Sequence, residues 1–364
     1  MARKVRRTCR YPYEPDYAVP PGATLRETIE AHGIDQKEFA RRTRFTEKHV
    51  NQVIKGKAPI SADAAIRFER VTGVPAQFWN NLESQYQEQM ARLAATEQLQ
   101  ADLAWLKNVP IKELTNRGAI PASKEPTELL EHVLQFFGVA SVAAWKEGWS
   151  EPQFAFRRSQ AVAQQDEAMA AWLRLGEIAA RKQECASYSA KRFRANLNKV
   201  RSLTVCDPEE FVPKMTKLCA ESGVALVFVR EIKGAPVSGA TKWLTPGKAM
   251  ICLSLRGKQN DRLWFTFFHE AGHILNDSKK EVFVDVDDGD NPRERAANEF
   301  AARLLIPPQY DPELPALTSR AAVIAFARKL RIHPGIVVGR LQREEILPYS
   351  HLNDLKDRFE WGED

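Results

Sequence analysis

The chain has 364 residues, 44% hydrophobic and 27% charged, with a formal net charge of +6 and a pI near 9.0. This is an ordinary soluble composition with room for two or three domains, and its basic excess favours a nucleic-acid partner. No apolar run reaches membrane-spanning length, and the basic start lacks the apolar stretch of a signal peptide, so no membrane partner is expected.

Five cysteines (Cys9, Cys185, Cys206, Cys219 and Cys252) show no C-x-x-C spacing. An odd, scattered set argues for a reducing cytoplasm and against both disulfides and a cysteine-held metal. In chain order, residues 1–20 are expected to be a basic arm, because Arg3, Lys4, Arg6, Arg7 and Arg10 repel one another. Such an arm either lies on DNA phosphate or is simply solvated.

Pro20-Pro21-Gly22 then opens an ordered domain, expected over residues 21–98. Thr24 to His32 reads as a helix stopped by Gly33. Asp35-x-x-Glu38 is a capping box that starts a second helix. Thr46 caps a third helix to about Lys55, which Gly56 ends. Ser61 caps a fourth helix to Thr72, and a fifth begins near Ala76. Leu25, Ile29, Phe39, Ala40, Val50, Val53, Ile60, Ala65, Phe68, Phe78 and Trp79 are the expected core. Five short helices, two of them joined by a tight turn, make a helix-turn-helix layout. From Asp35 to Lys57 there are seven Lys/Arg and three Asp/Glu, a local net of +4.

This domain resembles lambda-repressor-like domains of the XRE family. Over Pro21 to Leu82 it also looks like HigA-type antitoxins, with P-G-x-x-L-R-E at its start and F-W-x-N-L near its end. The resemblance implies a double-stranded DNA operator as partner, with a homodimer among the expected assemblies. It implies that Glu47, Lys48 and Gln52 face base edges and that Gln36 touches phosphate. Asn51 and the capping Thr46 stand beside them. Arg44 occupies the turn position where such domains usually carry glycine, which predicts a positive φ at a non-glycine residue.

Residues 99–205 read as a helical spacer. Leu129, Leu130, Val133, Leu134, Phe136 and Phe137 form one amphipathic stripe, and Trp172, Leu173 and Leu175 form another. Pro121, Pro126 and Pro152 punctuate it. Arg157-Arg158 is either a basic patch or a solvated corner.

After Cys206 the pattern changes, and a metal-centred domain is expected over residues 206–312. Gly223 to Val229, Val237 to Leu244 and Ala249 to Leu255 read as strands, with a turn at Thr245-Pro246-Gly247. Glu281 to Asp287 alternates as a fourth. Next comes His269-Glu270-Ala271-Gly272-His273 inside an apolar run. Residues four apart on a helix share a face, so both imidazoles aim at one spot, and two neutral imidazoles are half a zinc site. Glu270 lies one step round, where a general base for water would stand. The third ligand is read from Glu294 to Pro307. Ala297, Ala301, Leu304 and Leu305 make one stripe, and Glu294 and Asn298 continue it. Glu294 is therefore the expected third ligand, with Glu299 a solvent-facing bystander. Asn298 is placed to accept an Nδ1–H from a ligating histidine. Asp285, Asp287, Asp288 and Asp290 form an acidic loop without EF-hand spacing.

H-E-x-G-H followed by E-x-x-A-N-x-F-A-x-x-L-L-x-P resembles the ImmA/IrrE family of zinc metallopeptidases. The resemblance implies a gluzincin-like site, with Zn2+ on His269, His273 and Glu294 and with Glu270 as catalytic base. The metzincin pattern fails, since Asn276 and Lys279 replace its glycine and third histidine. Residues 313–364 are expected to be a helical cap, because Ile336-Val337-Val338 is too apolar for an exposed reading helix. His333, Tyr349 and His351 remain the polar candidates for stabilising an oxyanion.

The expected fold class is thus α+β and mainly helical: a five-helix DNA-binding domain, a spacer, and a zincin-like domain with a small sheet. The expected function is a cytoplasmic regulator that binds operator DNA and cuts a partner protein. One rival is an antitoxin-like repressor whose zinc domain senses a ligand or binds a toxin. Another is a free protease whose basic N-terminus docks protein.

Overall fold

The computed structural model describes residues 18–150, 166–277, 282–285 and 292–362. Most of the basic arm, Arg157-Arg158 and the acidic loop from Asp287 to Asp290 lie outside the described residues. The chain divides into two compact units, residues 1–103 and 104–364. Both are mainly helical, and the second adds a four-stranded sheet.

The first unit is built from α1 (Pro21–Ala31), α2 (Gln36–Thr43), α3 (Glu47–Ile54), α4 (Ala62–Thr72) and α5 (Ala76–Asp102). Asp35, Thr46 and Ser61 each accept a backbone N–H three residues on, satisfying helix ends that would otherwise have no partner. The capping box at Asp35 is only half made. The Glu38 carboxylate turns instead to Arg41 and Arg42, because a guanidinium binds it more strongly than a backbone N–H does. Arg44 takes φ 58°, as the absent glycine predicts, and the Phe45 N–H returns to the Ala40 carbonyl at 3.0 Å to close α2. The core holds Leu25, Phe39, Val50, Val53, Phe68 and Trp79. Phe78 does not join it and stays 45% exposed. It precedes Trp79 by one residue, a rotation of about 100° round the helix, and only Trp79 meets Phe68 edge-on. Gly22 fixes α1 to α3: a Cβ there would lie 2.0 Å from the Val53 carbonyl oxygen.

The second unit begins with α6 (Ile111–Asn116), α7 (Pro126–Phe137), α8 (Val142–Ser150), α9 (Asp166–Lys182), α10 (Ala190–Ser202) and α11 (Pro208–Ala220). Strands β1 (Val224–Phe228), β2 (Gly239–Thr245), β3 (Lys248–Leu253) and β4 (Val282–Asp285) follow in the spatial order β1-β3-β2-β4. β1 runs parallel to β3, whereas β2 is antiparallel to both β3 and β4. The remaining helices are α12 (Asn260–Asn276), α13 (Pro292–Leu305), α14 (Arg320–Leu330) and α15 (Pro334–Arg343).

The segment expected to be a spacer is built into this unit. α9 packs on β1 and β3, and Gly176 meets Cys252 so closely that a Cβ would lie 2.7 Å from its Sγ. The opposite sheet face, with Ala249, Ile251 and Leu253, packs with Trp264, Phe267 and Phe268 of α12. An unbroken apolar strand needs cover on both faces, and α9 supplies the second. Arg201 of α10 also donates to the Leu305 carbonyl at 2.9–3.0 Å and to Leu330 at 3.0 Å. It thereby neutralises the carbonyl ends of α13 and α14. α15 packs on α12 with Ile336, Val337 and Val338 buried.

Candidate functional site

α12 buries twelve of its seventeen residues, including His269, Glu270 and His273. The apolar flank holds the helix in the core and forces its polar edge into one place. α13 lies against that edge, because Gly272 has no side chain. A Cβ at Gly272 would sit 3.3 Å from Ala297 Cα and 3.2 Å from Phe300 Cδ1. The Ala297–Ala301–Leu305 stripe therefore seats α13 closely, and Glu294, one turn before Ala297, is carried to the histidines. It is only 8% exposed.

His269 Nε2 and His273 Nε2 are 3.0 Å apart. Glu294 Oε2 is 3.1 Å from the first and Oε1 is 3.4 Å from the second. Three ligands at about 2.0–2.1 Å from a tetrahedral zinc stand about 3.3 Å from one another, so the spacing fits that ion. The tautomers agree. His269 Nδ1 donates to Asn298 Oδ1 at 2.9 Å, and His273 Nδ1 donates to Asp277 Oδ2 at 2.7 Å. Both Nε2 lone pairs then face the Glu294 carboxylate, an arrangement that repels itself unless a cation sits among them. The local field has the right sign for one. Burial pushes the His273 imidazole down, but Asp277 and Glu294 outweigh it and raise its pKa to about 9. Among the described residues, His269, His273 and Glu294 form a group whose ligand atoms lie close enough together to hold a metal ion.

Glu270 is fully buried beside this cluster and faces the sheet. Its Oε2 accepts from Thr241 Oγ1 of β2 at 2.6 Å. β2 comes this close because its first residue is Gly239, where a Cβ would lie 2.9 Å from Glu270 Oε1. Glu299 is exposed and paired with Arg303.

Sequence reasoning missed Asp277 and Thr241. Asp277 was readable, four residues past His273 at the helix end. Thr241 had no local signal, since only the sheet brings it to Glu270. Among the three oxyanion candidates, His333 is tied to the far end of α12. His333 Nδ1 meets Asn260 at 2.7 Å, and Asn260 precedes His269 by nine residues, about 13 Å of helix. Its Nε2 pairs with Asp357 at 3.0 Å. Tyr349 is 72% exposed, and His351 contacts Ser350. Of the three, His333 joins α12 to α15, and the other two are exposed.

In the first unit, Val50 and Val53 anchor α3, so its other face is turned out. Gln36, Thr46, Glu47, Lys48 and Asn51 are exposed, and Gln52 is half-buried. The residues expected at a DNA surface thus share the outward side of α3 and the start of α2. Arg41 and Arg42 hold the Glu38 carboxyl at a pKa of about 2.

Residues 223–340 match the family described as the IrrE N-terminal-like domain, a metallopeptidase family, and residues 25–79 match the helix-turn-helix family. Virulence-associated protein I of Dichelobacter nodosus is 31% identical over 75 residues, which are 20% of this chain and 69% of that protein. Among solved structures, antitoxin HigA of Pseudomonas aeruginosa with its higBA promoter is 35% identical. That match covers 22% of this chain and 90% of HigA, with a TM-score of 0.22. A second Pseudomonas aeruginosa protein, in complex with its 18-base-pair operator DNA, is also 35% identical. It covers 21% of this chain and 85% of its own, with a TM-score of 0.21. No described helix is long and apolar enough to cross a membrane.

Proposed function

We propose, for a chain that belongs to the helix-turn-helix family through residues 25–79 and to the IrrE-like peptidase family through residues 223–340, that it binds operator DNA and cleaves a partner regulatory protein. The observation that carries the second half is the spacing of His269, His273 and Glu294 beside a buried Glu270 that is turned toward Thr241. Zn2+ held by those three side chains supplies Lewis acidity toward a peptide carbonyl and toward water. Glu270 then takes a proton from the attacking water and returns it to the leaving amine. Asn298 and Asp277 keep the two imidazoles in the ligating tautomer. The DNA-facing half rests on Lys48, Glu47, Asn51 and Gln52 along α3, with Thr46 at its cap and Gln36 at the start of α2. A homodimer on a two-fold operator and a cytoplasmic setting complete the reading.

The test runs in cells. Wild type and Glu270→Gln are expressed from one promoter, and the turnover of the neighbouring genes' products is followed under stress. An amide cannot take the proton, so cleavage should fall by a factor on the order of a hundred or more, with zinc retained. A protein lost only in wild type is the substrate. Identical turnover in both strains would sink the peptidase reading and make the metal domain a sensor on a repressor.

A further inference from the structure

The last turn of α15 brings a cation to the helix that carries the metal cluster. α15 runs along α12 and faces it with a stripe of residues four apart. Gly335 lies against Asn260, where a Cβ would be 2.6 Å from Oδ1, and Gly339 lies against Asp261, where a Cβ would be 2.5 Å from Oδ2. Arg343 is next on that stripe, and its Cζ stands over the Phe265 ring, 4.7 Å from the centroid. Phe265 is one turn before His269, about 40° from it round the helix, so it lies on the side of α12 that bears this ligand. The two ring centroids are 6.4 Å apart. The Arg343 guanidinium is therefore within about 11 Å of the His269 ring, a reach of about three residues of extended peptide.

Both members of this pair are open to a ligand: Phe265 is half-buried and Arg343 is exposed. Among the described residues Arg343 makes no ion pair, and its side chain is engaged by the Phe265 ring. The adjoining Glu344 is committed instead to Arg340 at 2.5 Å. A guanidinium stacked on a ring spends its face there and keeps its in-plane N–H donors for a second partner. The stacking also restrains a long side chain in advance, so less freedom is lost when a ligand arrives. A helix C-terminus favours any cation in its last turn, but that does not require one folded over an aromatic ring.

We infer that Arg343, held on Phe265, is a subsite for a carboxylate of the peptide substrate, within about three residues of the scissile bond. The inference rests on the peptidase reading. Paired N–H donors suit the two oxygens of a carboxylate, whether it belongs to an Asp or Glu side chain or to a free C-terminus. A nucleic-acid phosphate would suit the same donors, but the place of Phe265 one turn from His269 favours a peptide.

The test uses the full chain as zinc-loaded Glu270→Gln, so that bound peptides survive. Three fluorescein-labelled peptide pools, randomised over uncharged residues, are titrated by anisotropy. One has a central Glu and an amidated C-terminus, one a central Gln and an amidated C-terminus, and one a central Gln and a free C-terminus. The Glu pool or the free-terminus pool should bind about tenfold more tightly than the uncharged pool, and whichever does so names the source of the carboxylate. Arg343→Gln, at an exposed side chain, should bring that ratio to about one. Phe265→Leu should lower it in part with zinc content unchanged, because the guanidinium loses its seat. Equal affinity for the three pools, binding of none, or a preference that survives Arg343→Gln overturns the subsite. So does an Arg343→Gln chain that loses affinity for DNA and keeps its peptide preference. Equal binding of all pools with cleavage by wild type would sink the subsite and leave the peptidase reading. An Arg343-dependent preference without cleavage would do the reverse.

Discussion

Thr241 Oγ1 donates to Glu270 Oε2 at 2.6 Å, so strand β2 aims a buried carboxylate that stands beside the cluster without being placed as a ligand. Its second oxygen is thereby fixed in direction. Thr241→Val keeps the shape and removes the donor. Zinc content and KM should hold while kcat falls about tenfold, the cost of a loosened base. Thr241→Ser should restore most of the rate. If valine is as fast as threonine, the hydroxyl does no more than pack.

Gly239→Ala probes the same contact from the backbone. Its Cβ would meet Thr266 Cγ2 at 2.5 Å and Glu270 Oε1 at 2.9 Å, so the strand or the carboxylate must move. We expect kcat to fall by about a hundredfold for a displacement near 1 Å, with metal binding nearly intact. Full activity in Gly239→Ala would mean that the strand yields instead.

Metal affinity separates the carboxylates. His269→Ala and Glu294→Ala should empty the site, whereas Glu299→Ala should not, since Glu299 is exposed and paired with Arg303. Asn298→Ala and Asp277→Ala should each weaken zinc about ten- to a hundredfold, by freeing an imidazole to rotate. Competition with a chromogenic chelator measures all five. Metal retained fully in Glu294→Ala would remove it from the ligand set.

What the sequence disclosed divides by range. The pairing of His269 with His273 and the stripe that carries Glu294 are matters of helical spacing, legible within one or two turns. Arg44 and its left-handed turn were legible for the same reason. Thr241, Gly239 and α9 were not, because a strand and a helix far apart in the chain reach Glu270 and the sheet only through tertiary packing. The sequence does hold one clue to α9. The run Ala249 to Leu253 is apolar at every position, which requires cover on both faces and so a helix from the supposed spacer. Phe78 departs from expectation because α5 turns the Trp79 position onto Phe68, and Phe78 stands about 100° round the helix from it.

Gly22→Ala should unfold the first unit. The new Cβ would lie 2.0 Å from the Val53 carbonyl oxygen and 2.5 Å from Ile54 Cα, backbone atoms that cannot rotate aside. Separating α1 from α3 should cost about 3 kcal/mol or more. A calorimetric scan should lose or lower a transition assigned to residues 1–103 while zinc binding persists. An unchanged scan would show that α1 slides freely.

DNA binding should follow the charge that α2 and α3 leave available. Lys48 is exposed on the outward face of α3, so Lys48→Ala should reduce selection among operator sequences by about 1–3 kcal/mol. Gln36→Ala, at the start of α2, should weaken binding to all sequences alike. Glu38 offers a sharper test. It holds Arg41 at 2.7 Å and Arg42 at 2.8 Å, which occupies two guanidiniums with a carboxylate. Glu38→Gln releases both toward phosphate. Nonspecific affinity should rise, and the slope of log K against log salt should steepen by up to about two, near one for each phosphate neutralised. A titration across salt concentrations reads both at once. An unchanged slope would place Arg41 and Arg42 away from the DNA, and the absence of any salt-sensitive binding by the full chain would sink the operator-binding reading itself.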